Sequence, residues 1–156
     1  MIIGSISENQ NNEKRISITP EIVKKYSSLG FEVCLSENYG QHLGIKDKEF
    51  LDLGVKIIKD DNEVISHSNI IVQLGLLPDE KISLIKENQI LIGILDPYNN
   101  NDKLKNLAKK KINLFSLELL PRITRAQSMD ILSSQANLAG YKAVIESFAN
   151  FEKAIP

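Results

Sequence analysis

Apolar residues fall along the chain in short, dense runs separated by polar stretches. Residues 1–6, 31–35, 55–58, 69–74, 89–95 and 112–115 are rich in Ile, Val and Leu with little alternation. That is the pattern of strands buried on both faces. The segments between them read as helices. Thr19-Pro20-Glu21 opens the first. Thr19 can accept a backbone N–H as N-cap, Pro20 fits the first turn, and Glu21 complements the positive end of the helix dipole. Ile22, Val23, Tyr26 and Leu29 form its apolar face, and Gly30 stops it. Further helices are predicted over 47–53, closed by Gly54, from Pro78-Asp79-Glu80 onward with Ile82 and Ile85 inward, and over 102–110 with a lysine-rich outer face. Residues 63–66 offer only a weak helical turn. This alternation predicts an α/β fold, an open, mostly parallel sheet with helices on both faces, of the Rossmann or flavodoxin-like kind.

The texture changes at Ser128. Met129, Leu132, Ala136, Ala139, Ala143 and Val144 recur at helical spacing over about six turns, which predicts a long C-terminal helix. Ala136, Gly140 and Ala143 put small side chains on one stripe, where a neighbouring backbone can approach closely. The expected organisation is an N-terminal α/β lobe over 1–126, a long connecting helix over 127–150, and a linker cut short over 151–156.

Composition narrows the function classes. The chain has 156 residues, 19 basic and 20 acidic, for a net charge of −1. Near-neutral charge removes the electrostatic footprint of a general nucleic-acid binder, and 6% aromatic residues with no Trp argue against a base-stacking surface. The single Cys34 cannot form an internal disulfide, and one thiol with two histidines cannot complete a structural zinc site. The N-terminus lacks the basic and long apolar regions of a signal peptide, and the longest apolar stretch, 90–95, is far below the roughly 20 residues of a membrane span. A cytoplasmic protein without a metal is expected, and a membrane-embedded partner is compatible with it.

Familiar catalytic signatures are missing. His42 and His67 lie in different loops without triad or metal spacing, and Cys34 falls inside a strand, where a buried thiol is the simpler reading. The eight glycines never form G-x-G-x-x-G or a phosphate-binding loop. Asp60, Asp61 and Glu63 read as a solvated loop, and Lys109-Lys110-Lys111 as a solvated helix end.

Two segments stand out. Arg15 precedes a helix on the C-terminal side of the first strand, where open α/β sheets bind ligands and a guanidinium could hold a carboxylate or phosphate. The alternative is a weak surface pair with Glu13 or Glu21. The second segment is Pro121-Arg122-Ile123-Thr124-Arg125-Ala126-Gln127-Ser128-Met129-Asp130, continuing through Ser133, Ser134 and Asn137 to Tyr141. Arg122, Gln127, Asp130 and Ser133 could converge if 122–127 forms a loop capped by the helix start. Gln127, Asp130, Ser134 and Asn137 also fall on one helical ridge, and Asp130 is close enough in sequence to pair with Arg122. None of these groups is an obvious nucleophile or base, which suits chemistry that depends on positioning and water exclusion. Helix capping by Ser128 and a solvated face is the plainer alternative.

The same residues resemble the N-terminal part of the alanine dehydrogenase and nicotinamide-nucleotide transhydrogenase superfamily. The opening Ile2-Ile3-Gly4, then Asn12-Glu13-Lys14-Arg15-Ile16, Thr19-Pro20 and Leu29-Gly30-Phe31-Glu32-Val33, follows its pattern. The run from Pro121 to Tyr141 is similar to the transhydrogenase alpha subunits rather than to the alanine dehydrogenases. The resemblance implies the first lobe of the NAD(H)-binding component of a proton-translocating transhydrogenase, which passes hydride from NADH to NADP⁺. It implies a catalytic set of Gln127, Asp130 and Arg122, and NAD(H) contacts from Arg122, Gln127, Asp130 and Ser133. It further implies a second nucleotide-binding lobe, NADP(H)-binding and membrane-spanning partner components, a homodimer, and a place at the inner face of the membrane through those partners.

Departures from the alternatives carry weight. Alanine dehydrogenases place a Lys on the strand where this chain has Gln73, and a His near Leu95-Asp96 where this chain has none. Without both, proton exchange with an amino acid is hard to support. An alanine dehydrogenase-like lobe remains the second enzyme reading, and a non-catalytic interaction module docking through the long helix is the reading from another class. Without a second lobe the chain is expected to be inactive alone.

Overall fold

The structure is a computed structural model that describes residues 1–153. It divides into two compact units, Met1–Ser116 and Leu117–Pro156.

The first unit is built on six strands: β1 (Ile2–Ser5), β2 (Glu32–Ser36), β3 (Lys56–Ile58), β4 (Ile70–Val72), β5 (Ile90–Gly93) and β6 (Asn113–Ser116). Every pairing between neighbours is parallel, in the order β3-β2-β1-β4-β5-β6. The first strand lies between β2 and β4, with Ile3 opposite both Val33 and Ile70. Growth of the sheet reverses there, which makes the gap beyond the carboxyl ends of β1 and β4 a topological switch point.

Strand residues alternate between two cores. Ile3, Val33 and Leu35 join Val23 of α1 (Pro20–Ser28) and Phe50 of α2 (Asp47–Leu51) in one cluster. Cys34, Ile71 and Leu91 join Val64 and Ile65 of α3 (Asp61–His67), Ile82 of α4 (Asp79–Ile82) and Leu107 of α5 (Asn101–Lys109) in the other. Because successive side chains of a strand point to opposite faces, each apolar run fills both cores, and helices cover both sides.

Local chemistry sets most helix ends. Thr19 accepts from the amide of Ile22, Pro20 occupies the first turn, and Gly30 follows the helix at φ 82°, a conformation that suits a residue without Cβ. The helix at α3 is longer than the weak turn expected. Asp60 caps it by accepting from Asn62, and Val64 and Ile65 are buried. By contrast α4 is a single turn.

The second unit corrects the expected helix boundary. Residues 127–129 are not α-helical: a 3-10 helix spans Thr124–Met129, and α6 spans Ile131–Ala149. Asp130 has extended dihedrals (φ −73°, ψ 96°) and caps α6, so the N-cap is Asp130 and not Ser128. A short 3-10 turn, Leu117–Leu119, precedes them. Along α6 the large apolar residues Leu132, Leu138, Tyr141, Val144, Ile145 and Phe148 are all exposed, Tyr141 at 70%. Of the segment 151–156 read as a linker, 154–156 lie outside the described residues.

Candidate functional site

The second unit gathers Arg122, Gln127, Asp130 and Ser133 around one surface depression of about 290 Å³, together with Ile123 and Thr124. The break between the 3-10 helix and α6 makes this possible. A continuous helix from Gln127 would carry Gln127, Asp130, Ser134 and Asn137 along one ridge, whereas the extended Asp130 turns the chain between Gln127 and Ser133.

Asp130 is the hinge of the arrangement. One carboxylate oxygen accepts from the amides of Leu132 (3.0 Å) and Ser133 (3.2 Å), and the other from the Ser133 hydroxyl (2.7 Å). The Ser133 hydroxyl foremost, then its amide, hold this carboxyl below the usual aspartate range against desolvation, with lesser help from the Leu132 amide and the nearby Arg122 charge. The expected Arg122–Asp130 ion pair is not formed among the described residues. The carboxylate is committed to the helix end, and Arg122 acts on it only through space. The guanidinium is thereby left to the depression. The ridge continuing through Ser134 and Asn137 is also not part of it: Ser134 turns back to donate to the carbonyl of Ile131.

The first unit places Arg15 differently from a ligand clamp. Its guanidinium lies bidentate on Glu13, Nε to Oε1 at 2.9 Å and Nη2 to Oε2 at 2.6 Å, so the surface-pair alternative describes this side chain. His42 bonds the carbonyl of Lys14 at 2.7 Å and so ties down the loop beside it. The thiol of Cys34 is buried next to the Ser68 hydroxyl at 3.5 Å, and burial pushes its pKa up, as expected of an inert thiol.

A cleft of about 600 Å³ opens at the switch point, lined among others by Ile6, Glu8, Asp61, Gln73, Lys81, Asp96, Asn100 and Lys103. Its floor is a polar network. Gln73, only 3% exposed, accepts from the Ser5 hydroxyl (2.7 Å) and the Ile6 amide (2.9 Å), and donates to the Ile6 carbonyl and to Glu8 (3.2 Å each). Both amide hydrogens and the oxygen are thus engaged, and Gln73 is a structural bridge. Ser5 in turn meets Ser17 and Tyr39, and Tyr39 accepts from the amides of Ser17 and Ile18. The lysines of the cleft are also paired, Lys81 with Asp61 and Lys103 with Asp79. Sequence reasoning passed over Glu8, although its place just after the first strand was a usable signal.

The depression in the second unit offers groups that can position a ligand, and neither a histidine nor a cysteine lines it. Among the described residues no group of His, Cys, Asp and Glu could hold a metal ion.

The domain family described as alanine dehydrogenase/PNT, N-terminal domain, matches residues 4–139. The chain belongs to that family. Within it, the chain is 39% identical over its whole length to an NAD(P) transhydrogenase alpha-subunit polypeptide of Rickettsia prowazekii, covering 42% of that protein. It is 28% identical to the alanine dehydrogenase of Methanococcus maripaludis over 92% of its length, covering 38% of that enzyme. The crystal structure of transhydrogenase from Sinorhizobium meliloti superposes with a TM-score of 0.90 at 36% identity, over all of this chain and 46% of that one. Of the family's two namesakes, the chain therefore lies nearer the transhydrogenases. It spans 42% of the length of the Rickettsia prowazekii relative and 29% of that of the transhydrogenase alpha subunit of Haemophilus influenzae.

Proposed function

We propose that this chain is the N-terminal lobe of the NAD(H)-binding component of a proton-translocating NAD(P) transhydrogenase, in which hydride passes from NADH to NADP⁺. The single observation that carries the reading is the clustering of Arg122, Gln127, Asp130 and Ser133 around one depression in a chain of this family. The donor set fits one end of a nicotinamide nucleotide. Guanidinium, amide and hydroxyl groups can meet a carboxamide, which both donates and accepts. The set does not fit the pyrophosphate, because this chain lacks a glycine-rich turn opening a helix, so a second lobe must hold that portion.

When bound, NADH would supply the hydride. Arg122 and Gln127 orient the carboxamide end, Ser133 contributes its hydroxyl, and Asp130 fixes Ser133 and the start of α6. No side chain of the depression exchanges a proton with substrate. The contribution of the site would be orientation and exclusion of water, with Gln127 taken, from the family resemblance, as the residue nearest the second nucleotide. NADP(H) belongs to a partner component. Among the described residues no helix is long and apolar enough to cross a membrane, and we assign proton passage to a membrane-spanning partner that holds this component, as a homodimer, at the inner face of the membrane.

The test joins this chain to the remainder of its subunit and to the NADP(H)-binding component. Gln127→Ala and Asp130→Ala are each expected to slow hydride transfer to an NADP⁺ analogue by tenfold or more, about 1.4 kcal/mol in the barrier. Wild-type transfer rates in both variants would falsify the site. Turnover of pyruvate and ammonium without transfer to the analogue would favour the alanine dehydrogenase reading instead.

A further inference from the structure

Among the ionisable groups that line the cleft at the switch point, none of which the proposed reaction uses, Glu8 is bonded into the cleft wall. Glu8 belongs to the loop after β1, and its Oε1 accepts from the amide of Leu74 at 2.6 Å and from Nε2 of Gln73 at 3.2 Å. The Gly75 amide lies near enough to help lower the pKa of this carboxyl. Leu74 and Gly75 form the turn that follows β4, so one carboxylate joins the two loops on either side of the reversal in strand order.

We propose that Glu8 is a proton-sensitive tie across the switch point: ionised, it holds the Leu74–Gly75 turn against the loop after β1, and on taking up a proton it weakens its hold on that turn and loosens the mouth of the cleft.

Hydrogen-bond counting forces the direction. Ser5 and the amide of Ile6 both donate to Oε1 of Gln73, which fixes its Nε2 as the donor toward Glu8. Two donors therefore face Oε1 of Glu8, and an added proton has to sit on Oε2. There it removes the negative charge that the Leu74 and Gln73 donors face. The bond to Leu74 survives only as a neutral one, weaker than the charge-assisted bond it replaces.

The surroundings set where this happens. Burial pushes the Glu8 carboxyl above the ordinary glutamate range, the amides of Leu74 and Gly75 pull it back, Glu13 adds to the rise, and Arg15 opposes it. Around the cleft, α3 presents Asp61, held by Lys81 of α4. Glu80 of α4 and Asp96 after β5 add negative charge, and Lys103 of α5 is paired with Asp79. Burial is the largest of these influences on Glu8 and favours the protonated form.

The experiment is a pH titration of the isotope-labelled 156-residue chain by NMR, following the Glu8 carboxyl carbon, the backbone amides of Leu74 and Gly75, and their solvent exchange. The Glu8 carbon is expected to titrate above the ordinary glutamate value. Both amides should move with the same midpoint and lose protection on its acid side, while amides of β1 and β5 stay fixed. In Glu8→Gln the two amides should no longer titrate. Amides that stay still while Glu8 titrates, or that still titrate in Glu8→Gln, overturn the proposal. Should that variant fail to fold, the unsubstituted chain decides: midpoints for Glu8 and Leu74 that differ overturn it, and a shared midpoint that survives Asp61→Asn and Asp96→Asn supports it.

Discussion

At Asp130 one carboxylate both caps α6 and orients the Ser133 hydroxyl. Its pKa is lowered by bonds that exist only in the folded helix end, the Ser133 hydroxyl foremost. A lowered carboxyl stabilises the fold above its unfolded value, and that contribution is lost as pH falls through the folded one. Far-UV circular dichroism should therefore show α6 losing helicity on acidification through and below the ordinary aspartate range. Asp130→Asn keeps a capping oxygen and should remove this pH dependence, whereas Asp130→Ala should lower helicity at neutral pH as well. An unchanged acid profile in Asp130→Asn would assign the effect to another group. Gln73 answers to different physics because it is buried. Gln73→Leu leaves the Ser5 hydroxyl and both backbone groups of Ile6 without this partner. It should cost about 3 kcal/mol in urea unfolding, since each orphaned buried polar group carries a penalty of ~1–3 kcal/mol.

Among the elements, two glycines should respond in opposite directions to the same substitution. Gly93 ends β5 where the chain passes the carbonyl of Gln73. A Cβ there would stand 2.4 Å from that oxygen and 3.3 Å from its carbon. Backbone cannot yield as a flexible side chain does, so Gly93→Ala should destabilise the sheet by about 2 kcal/mol, within the ordinary range for overpacking. Gly140 lies inside α6 with nothing within 4 Å of an added Cβ. Gly140→Ala should raise the helicity and stability of this chain by about 0.5–1 kcal/mol, the usual difference between the two residues in a helix. Urea denaturation of both variants checks the pair. A stable Gly93→Ala would mean that β5 and the turn after β4 can separate without loss.

For the whole molecule, the relevant fact is how much of the family's length is here. The chain covers 42% of the Rickettsia prowazekii protein, and on the proposed reading its depression would meet one end of a nucleotide only. NADH at millimolar concentration should leave the thermal unfolding of the 156-residue chain unchanged and should raise that of the chain joined to the rest of its subunit. Stabilisation by a ligand follows its affinity for the folded state, so a clear shift in the short chain alone would place a complete site within it. The exposed apolar residues of α6 make a second prediction. A continuous apolar surface of this kind binds hydrophobic dyes. Leu138→Ser combined with Phe148→Ser should lower fluorescence of such a dye without altering the unfolding midpoint of the sheet.

The sequence alone determined what depends on neighbours a few residues apart. Dense Ile and Val runs specified parallel strands buried on two faces, and Thr19, Pro20 and Gly30 marked both ends of α1, because caps and strand patterns act within one or two turns of chain. The residues of the candidate site were legible too, as a run of polar side chains and by family resemblance. Only tertiary structure decided how they are arranged. The extended Asp130 broke the expected ridge, kept the carboxylate from Arg122 and left Ser134 and Asn137 aside. Tertiary structure also made Gln73 a bridge and set Glu8 in the wall of a cleft, through contacts spanning 65 to 68 positions along the chain. Such contacts exist only after the strand order has brought β1 beside β4, and no local pattern records that order.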